Sequence, residues 1–367
     1  MILYITVAVV TILVAGMVKP QLKANMTITR QQMLNQAALL FIFSVLFIVS
    51  ALRLNVGNDY GGYVRNMHMI VSDAFVVTEF GYNWLVRIIY GMSGFENFLL
   101  VFAVIAFMTI YFFLIVMYRE SENFWFTFFL FIVFGFYYQS FSTVRYYLAV
   151  AIALYSISFV FKKKWLEFVL LILVAASFHK SALVVLPFYF LASLKWNKWA
   201  LIGAGLFCTT FLFMQDYYLR IMLKLYPTYQ DTDFLEGGTS IINIIRCGGI
   251  LLFSLIYYRQ AIRDNVRNQF YFYCNLGAFV LYTFGSFIPI ISRIAYYLVV
   301  THIFFLPAIV SRIENKKQRY FFITAIILAG ILYLAIYLYR GQYDGVRILP
   351  YRTFLFHEMP FLIMSER

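Results

Sequence analysis

Long apolar runs separated by short polar clusters make up the chain from end to end. Ten runs, at about 2–18, 36–52, 95–117, 124–141, 146–161, 199–215, 240–258, 270–291, 294–310 and 320–339, have the length of membrane-spanning helices. The first lacks a basic segment before it and is followed by Lys19, Lys23 and Arg30, the reverse of a cleavable signal peptide. With Lys19 placed in the cytoplasm and sides alternating, nine of the eleven lysines fall on the cytoplasmic side. The exceptions are Lys180 and Lys224. Two further runs, 165–178 and 181–194, are about 14 residues each, too short to cross alone. Lys162, Lys163 and Lys164 precede them and Lys195 and Lys198 follow, so both outer flanks belong in the cytoplasm. A re-entrant helical hairpin meets that condition and puts His179 and Lys180 at its buried tip, while two tilted spans would place His179 outside.

The pattern predicts an all-α integral membrane protein of about ten transmembrane helices plus the hairpin. It forms one polytopic domain over 1–367. Three outer segments, about 53–94, 216–238 and 340–367, are too long for turns and dense in Tyr, Arg, Asp and Glu. They are expected to be partly helical and to lie on the outer face, where a hydrophilic substrate could be gripped.

Composition excludes a soluble enzyme, because 63% of the 367 residues are apolar and only 12% are charged. The net charge of +13 reflects loop bias in a chain with little polar surface, and no nucleic-acid partner is expected. Cys208, Cys247 and Cys274 sit inside apolar stretches and support neither a disulfide framework nor a metal site.

Three groups of residues could carry chemistry. Where the second run ends, Arg53, Asp59, Tyr60 and Tyr63 supply a cation, a carboxylate and hydroxyls around Gly57, Gly61 and Gly62. The bland alternative is an interfacial loop with a snorkelling arginine. Glu79, Gly81, Tyr82 and Trp84 form an acidic-aromatic patch in the same segment, a combination that suits sugar rings as well as a lipid belt. Arg145 opens an apolar helix with no acid nearby in sequence, which costs several kcal/mol near a membrane unless it meets water, a partner or an anion. Arg293 stands in the same setting, and Arg246 lies deeper in its own run. Guanidinium groups hold phosphates bidentately and never deprotonate, so several facing one cavity would make a diphosphate clamp. His179 and Lys180 are the third group. His68, His302 and His357 have no metal-ligand spacing, and no phosphate loop, nucleophile elbow or zinc motif occurs. Asp231 and Asp233 make one weak Asp-x-Asp match, read as a solvated turn.

Six motifs occur in order: Arg53 with Gly57, Asp59, Tyr60 and Tyr63; Glu79-x-Gly81; Arg145-x-x-Leu148-Ala149; the basic turn at Lys162, Lys163 and Lys164; Ala176-x-x-His179-x-Ser181-Ala182; and Arg293-x-x-x-Tyr297. Together they resemble the EpsG family of Wzy-type polysaccharide polymerases, over about 53–307. That resemblance implies a glycosyltransferase of GT-C-like architecture at the outer face of the bacterial cytoplasmic (inner) membrane. It joins oligosaccharide repeat units carried on undecaprenyl diphosphate, passing the growing glycan to the incoming unit. Arg145 and Arg293, assisted by Arg53, would stabilise the departing diphosphate, and Asp59, Glu79 and His179 are the candidates for the base. Tyr60, Tyr63, Lys180 and Tyr297 would touch substrate. No metal or other cofactor is expected, and membrane lipid, a chain-length regulator and a flippase are the implied partners. A lipid-linked oligosaccharide transporter and a membrane-bound O-acyltransferase remain open; the transporter would more often show two corresponding halves, and the acyltransferase would not need the outer arginines.

Overall fold

The computed structural model describes residues 1–19, 29–225, 241–288, 291–343 and 345–357. Asp231, Asp233 and the ends of two of the outer segments lie outside these residues. Seventeen α-helices follow one another in the described chain. The first nine are α1 Ile2–Ala15, α2 Arg30–Ala51, α3 Tyr60–Val71, α4 Phe80–Ser93, α5 Phe98–Glu120, α6 Phe124–Val133, α7 Phe136–Gln139, α8 Val144–Phe161 and α9 Trp165–Phe178. After a 3-10 turn at Lys180–Val184 come α10 Val185–Ser193, α11 Lys198–Phe213, α12 Gln215–Leu225 and α13 Ile241–Ile256. The last four are α14 Val266–Phe284, α15 Ile291–Val299, α16 His302–Ser311 and α17 Lys316–Arg340.

Five described stretches have the length and apolarity of a membrane span: α2, α5, α8, the run Ile291–Ser311 and α17. The bent α11–α12 pair would add a sixth. α1, α6, α9 and α13 are apolar but shorter. The expected run at 124–141 is interrupted, because Gly135 adopts a left-handed φ of 76° and ends the helical path between α6 and α7. Polar residues at helix starts make the other boundaries legible. Thr29 and Gln32 form a reciprocal capping box on α2, and Asn97, Asn123, Asn197 and Asn265 each accept a backbone N–H in the first turn of their helices.

Chain packing divides the protein into two compact units, Met1–Ala182 with Lys317–Arg367, and Leu183–Lys316. The two arms expected of a re-entrant hairpin belong to different units: α9 packs on α8 and α4, and α10 packs on α14. In the first unit α8 is the central element, fourteen of its eighteen residues being buried, and its neighbours include α5 and α9.

The outer segment at 53–94 is two helices, α3 and α4, as expected of a partly helical loop. The C-terminal segment differs: its described part contains no helix and runs extended along residues 52–58. Leu54 N–H donates to the Arg352 carbonyl at 2.9 Å, Gly57 N–H donates to the Arg347 carbonyl at 2.9 Å, and Arg53 bridges Thr353. Tyrosine hydroxyls complete the lashing. Tyr4 donates to the Ile348 carbonyl at 2.8 Å, Tyr351 to Val49 at 3.0 Å and Tyr138 to Tyr4 at 2.7 Å. Each satisfies a carbonyl that would otherwise be costly to bury.

Gly81, in the first turn of α4, meets the end of α9 so closely that a side chain would collide with Ser177, whose Cβ and backbone oxygen lie 2.8 Å from the position a Cβ would take. Gly91 on the same helix faces open space. Gly81→Ala should therefore push α4 off α9 and lower the melting temperature in detergent, whereas Gly91→Ala should hold it or raise stability by up to about 1 kcal/mol. Equal melting temperatures for the two variants would show that α4 and α9 do not pack this way.

Candidate functional site

Two glycines bring three pieces of chain together. Gly57, at φ 111°, lets the loop after α2 lie against the backbone of Phe141 and Ser142, just before α8. Asn58 N–H donates to Ser142 Oγ at 3.2 Å across that contact. Gly81 does the same for α4 and the turn after α9. The start of α8, the start of α4 and the His179 turn therefore converge.

Arg145 sits in the first turn of α8, the positive end of that helix, where a cation is disfavoured by the helix dipole and by burial together. Glu79, the residue before α4, offsets both costs. Its Oε2 is ion-paired with Arg145 Nη1, and its Oε1 accepts the Lys180 backbone N–H at 3.1 Å. The two side chains are only 14% and 17% exposed. Tyr63 from α3 and Tyr82 from α4 flank the guanidinium, with ring centroids 5.6 and 5.1 Å from its carbon. The Tyr63 phenol is also hydrogen-bonded to Arg145. Burial pushes both phenols above their ordinary pKa, the Asp59 carboxylate adds to the push on Tyr63, and Arg145 pulls against it. Both rings are therefore neutral partners at physiological pH. Arg145 Nε and the Tyr82 hydroxyl are buried with no hydrogen-bond partner among the described residues. The cluster thus keeps donor capacity that its own side chains do not use.

His179 ends α9 in an extended conformation, with Nδ1 2.7 Å from Ser181 Oγ and its ring 5.2 Å from that of Tyr146 on α8. When Nδ1–H donates to Ser181, Nε2 carries the lone pair and can take a proton. Asp59 occupies the N-cap position of α3.

The structure brings Glu79, Arg145, Tyr63, Lys180 and His179, which the sequence presents in three separate groups, into one neighbourhood. Arg53 is placed elsewhere. It is 1% exposed, donates from Nη1 to the Ser50 carbonyl and hydroxyl at 2.6 and 2.8 Å, and lies over the rings of Phe102 and Phe141. Tyr60 is also sealed in, stacked on Phe102 at 4.5 Å. Arg53 and Tyr60, expected as a diphosphate ligand and a substrate contact, hold the loop that carries Asp59. Lys180 engages Glu79 through its backbone, and its side chain is exposed. Arg293 and Tyr297 belong to the second unit, on α15; the buried Tyr297 accepts the Tyr189 hydroxyl at its carbonyl at 3.0 Å. One contributor had no distinguishing signal in sequence: Arg347, which donates to Asn55 Oδ1 at 3.1 Å, is 292 positions from its partner.

A model of the EpsG family matches residues 36–353. The chain belongs to the EpsG family. This is a family of Wzy-type polysaccharide polymerase-like membrane proteins, so the protein is a multi-pass membrane protein of polysaccharide biosynthesis with glycosyltransferase-like polymerase activity. No curated protein and no solved structure matches it.

If Arg53 is a scaffold residue, Arg53→Gln should lower the yield of folded protein severalfold in a size-exclusion profile, while the folded remainder keeps its specific activity. A variant that folds normally but makes no polymer would instead make Arg53 a ligand of substrate.

Proposed function

We propose that this EpsG-family protein joins oligosaccharide repeat units carried on undecaprenyl diphosphate, at the outer face of the bacterial cytoplasmic membrane. The growing glycan is the donor and a single lipid-linked repeat unit is the acceptor. Family membership supports the class of reaction. The observation that supports the site is the buried Arg145, held by one carboxylate between two phenols with donor capacity to spare. A ten-span topology, GT-C-like architecture, and cooperation with a flippase and a chain-length regulator belong to the same proposal.

In the reaction the acceptor hydroxyl oxygen attacks the anomeric carbon of the donor. The bond from that carbon to the phosphate oxygen breaks, and undecaprenyl diphosphate leaves with the electron pair. Arg145 stabilises the charge developing on the diphosphate, an electrostatic contribution that is commonly the largest in such transfers. The start of α8 adds its positive dipole end in the same place. His179 Nε2 takes the acceptor proton. Both Glu79 oxygens are engaged, by Arg145 and by Lys180 N–H, which suits Glu79 to orienting the guanidinium rather than moving a proton. Asp59 remains the second candidate for the base.

Purified protein supplied with synthetic lipid-linked repeat units should make a ladder of longer glycans without any nucleotide sugar. His179→Gln keeps hydrogen-bonding capacity but cannot take up a proton near neutral pH. Its rate should fall by roughly 10²–10⁴, the usual range for acid–base assistance, at unchanged protein level. A wild-type ladder from that variant would move the base to Asp59. A wild-type protein that makes no ladder but moves the lipid-linked unit across a vesicle membrane would refute the polymerase reading.

A further inference from the structure

The cluster at Arg145 can recognise a diphosphate, but nothing in it is shaped for sugar rings. The α3–α4 pair, which carries Tyr63 and Tyr82, also bears an open cleft of about 360 Å³ lined by Asp73, Phe75, Phe80, Asn83, Trp84 and Arg87. Its volume is within the range of small-ligand sites, roughly 300–1,000 Å³. Three of its walls are aromatic rings that stand open: Phe75 is 86% exposed, Phe80 77% and Trp84 59%. A second cleft of about 420 Å³, lined in part by Tyr90 and Glu96, shares Arg87 as a wall. The two clefts follow α4, whose fourteen residues run about 20 Å at 1.5 Å per residue.

Exposed rings on a membrane protein have an ordinary explanation as an anchor in the lipid interface. The charges around these rings argue against hydrocarbon as their surroundings. Arg87 and Asp73 form an ion pair at 2.6 Å with side chains 52% and 78% exposed. His68 and Glu96 pair at 2.8 Å at the far end of the second cleft. Open ion pairs of this kind are expensive against hydrocarbon and ordinary in water. The patch therefore presents aromatic faces outside the hydrocarbon, rimmed by hydrogen-bonding charge. Rings offer flat apolar contact, while carboxylate, amide and guanidinium offer bidentate acceptors and donors. A chain of sugar rings presents the complement, flat C–H faces edged by hydroxyls.

The local structure is also firm. Asn83 is tied to Thr78 through its side chain, Oδ1 accepting the Thr78 hydroxyl at 2.5 Å, which fixes the first turn of α4. Phe80 follows Glu79 directly, so the cleft begins one residue from the carboxylate that holds Arg145.

We infer that the Phe75–Phe80–Trp84 cleft and its neighbour across Arg87 form a glycan-binding subsite, which holds the sugars of a lipid-linked oligosaccharide while its diphosphate lies at Arg145. The inference rests on the proposed polymerase reading for the identity of the sugars. It assigns to Trp84 and Phe80 the stacking contacts, and to Asp73, Asn83 and Arg87 the contacts with hydroxyl groups. These residues position substrate and take no part in bond making.

The test uses the full protein in nanodiscs and, as probe, the lipid-free oligosaccharide repeat unit released from the polymer of the same cells. Saturation-transfer NMR should show the probe binding to wild type, and Trp84→Ala should weaken it by about tenfold, the scale of one lost aromatic contact. Trp84→Phe, which retains a ring, should recover most of the binding. Arg145→Lys should bind the probe as wild type does while making no polymer, which separates the cleft from the diphosphate site. Binding indifferent to Trp84, or no binding by a wild-type protein that polymerises lipid-linked units, would overturn the subsite and leave the function standing. A wild-type protein that binds the probe through Trp84 yet never lengthens a glycan would keep the subsite and refute the polymerase reading. With Trp84 as the sole tryptophan, brominated lipid should leave its fluorescence unquenched; strong quenching would place the patch in the bilayer and refute the inference.

Discussion

A guanidinium at the buried start of a membrane helix is the constraint around which the first unit is organised. Arg145 stands where the α8 dipole and the low dielectric both oppose a positive charge. It persists because Glu79 reaches it from α4 and because Tyr63 and Tyr82 cover its faces. Losing one partner of such a pair leaves the other charge buried, a penalty on the order of 3 kcal/mol or more. α4 must therefore dock on α9, which requires Gly81, and α3 must place Tyr63, which requires the loop after α2 to turn at Gly57. The strap formed by residues 346–353 holds that loop.

Under the proposed function, the same arrangement would serve two purposes. A carboxylate satisfies the cation when the site is empty, and a guanidinium has enough donors to keep that carboxylate and still take a phosphate oxygen. Glu79 also binds the Lys180 N–H, so the ion pair and the His179 turn are fixed to one another through a single side chain. Under the proposed function, this shared ligation would hold a leaving group and a base at fixed separation.

Much of this was legible in the sequence, for identifiable reasons. Apolar length marked the chain as all-helical and membrane-spanning, with five described stretches of spanning length. Arg145 was conspicuous because a charge in an apolar helix needs an explanation, and His179 because it interrupts two apolar runs. The ion pair was not legible, since Glu79 and Arg145 are 66 positions apart and no local rule joins them. The surroundings of Arg53 were not legible either: nothing in its sequence neighbours showed that Ser50, Phe102 and Phe141 would enclose it. The run at 124–141 read as one span because hydropathy does not register the left-handed turn at Gly135. The strap was invisible because extended backbone pairing over some 300 residues leaves no periodic trace.

The claim on which this account depends is that Arg145 and Glu79 are coupled, so a double-mutant cycle on the two is the most direct measurement. Thermal stability in detergent should fall for Arg145→Gln and for Glu79→Gln separately. The double variant should recover part of the loss, with a coupling within the roughly 0.5–3 kcal/mol found for interacting neighbours. Strictly additive losses, or single variants as stable as wild type, would mean that the pair does not organise the site.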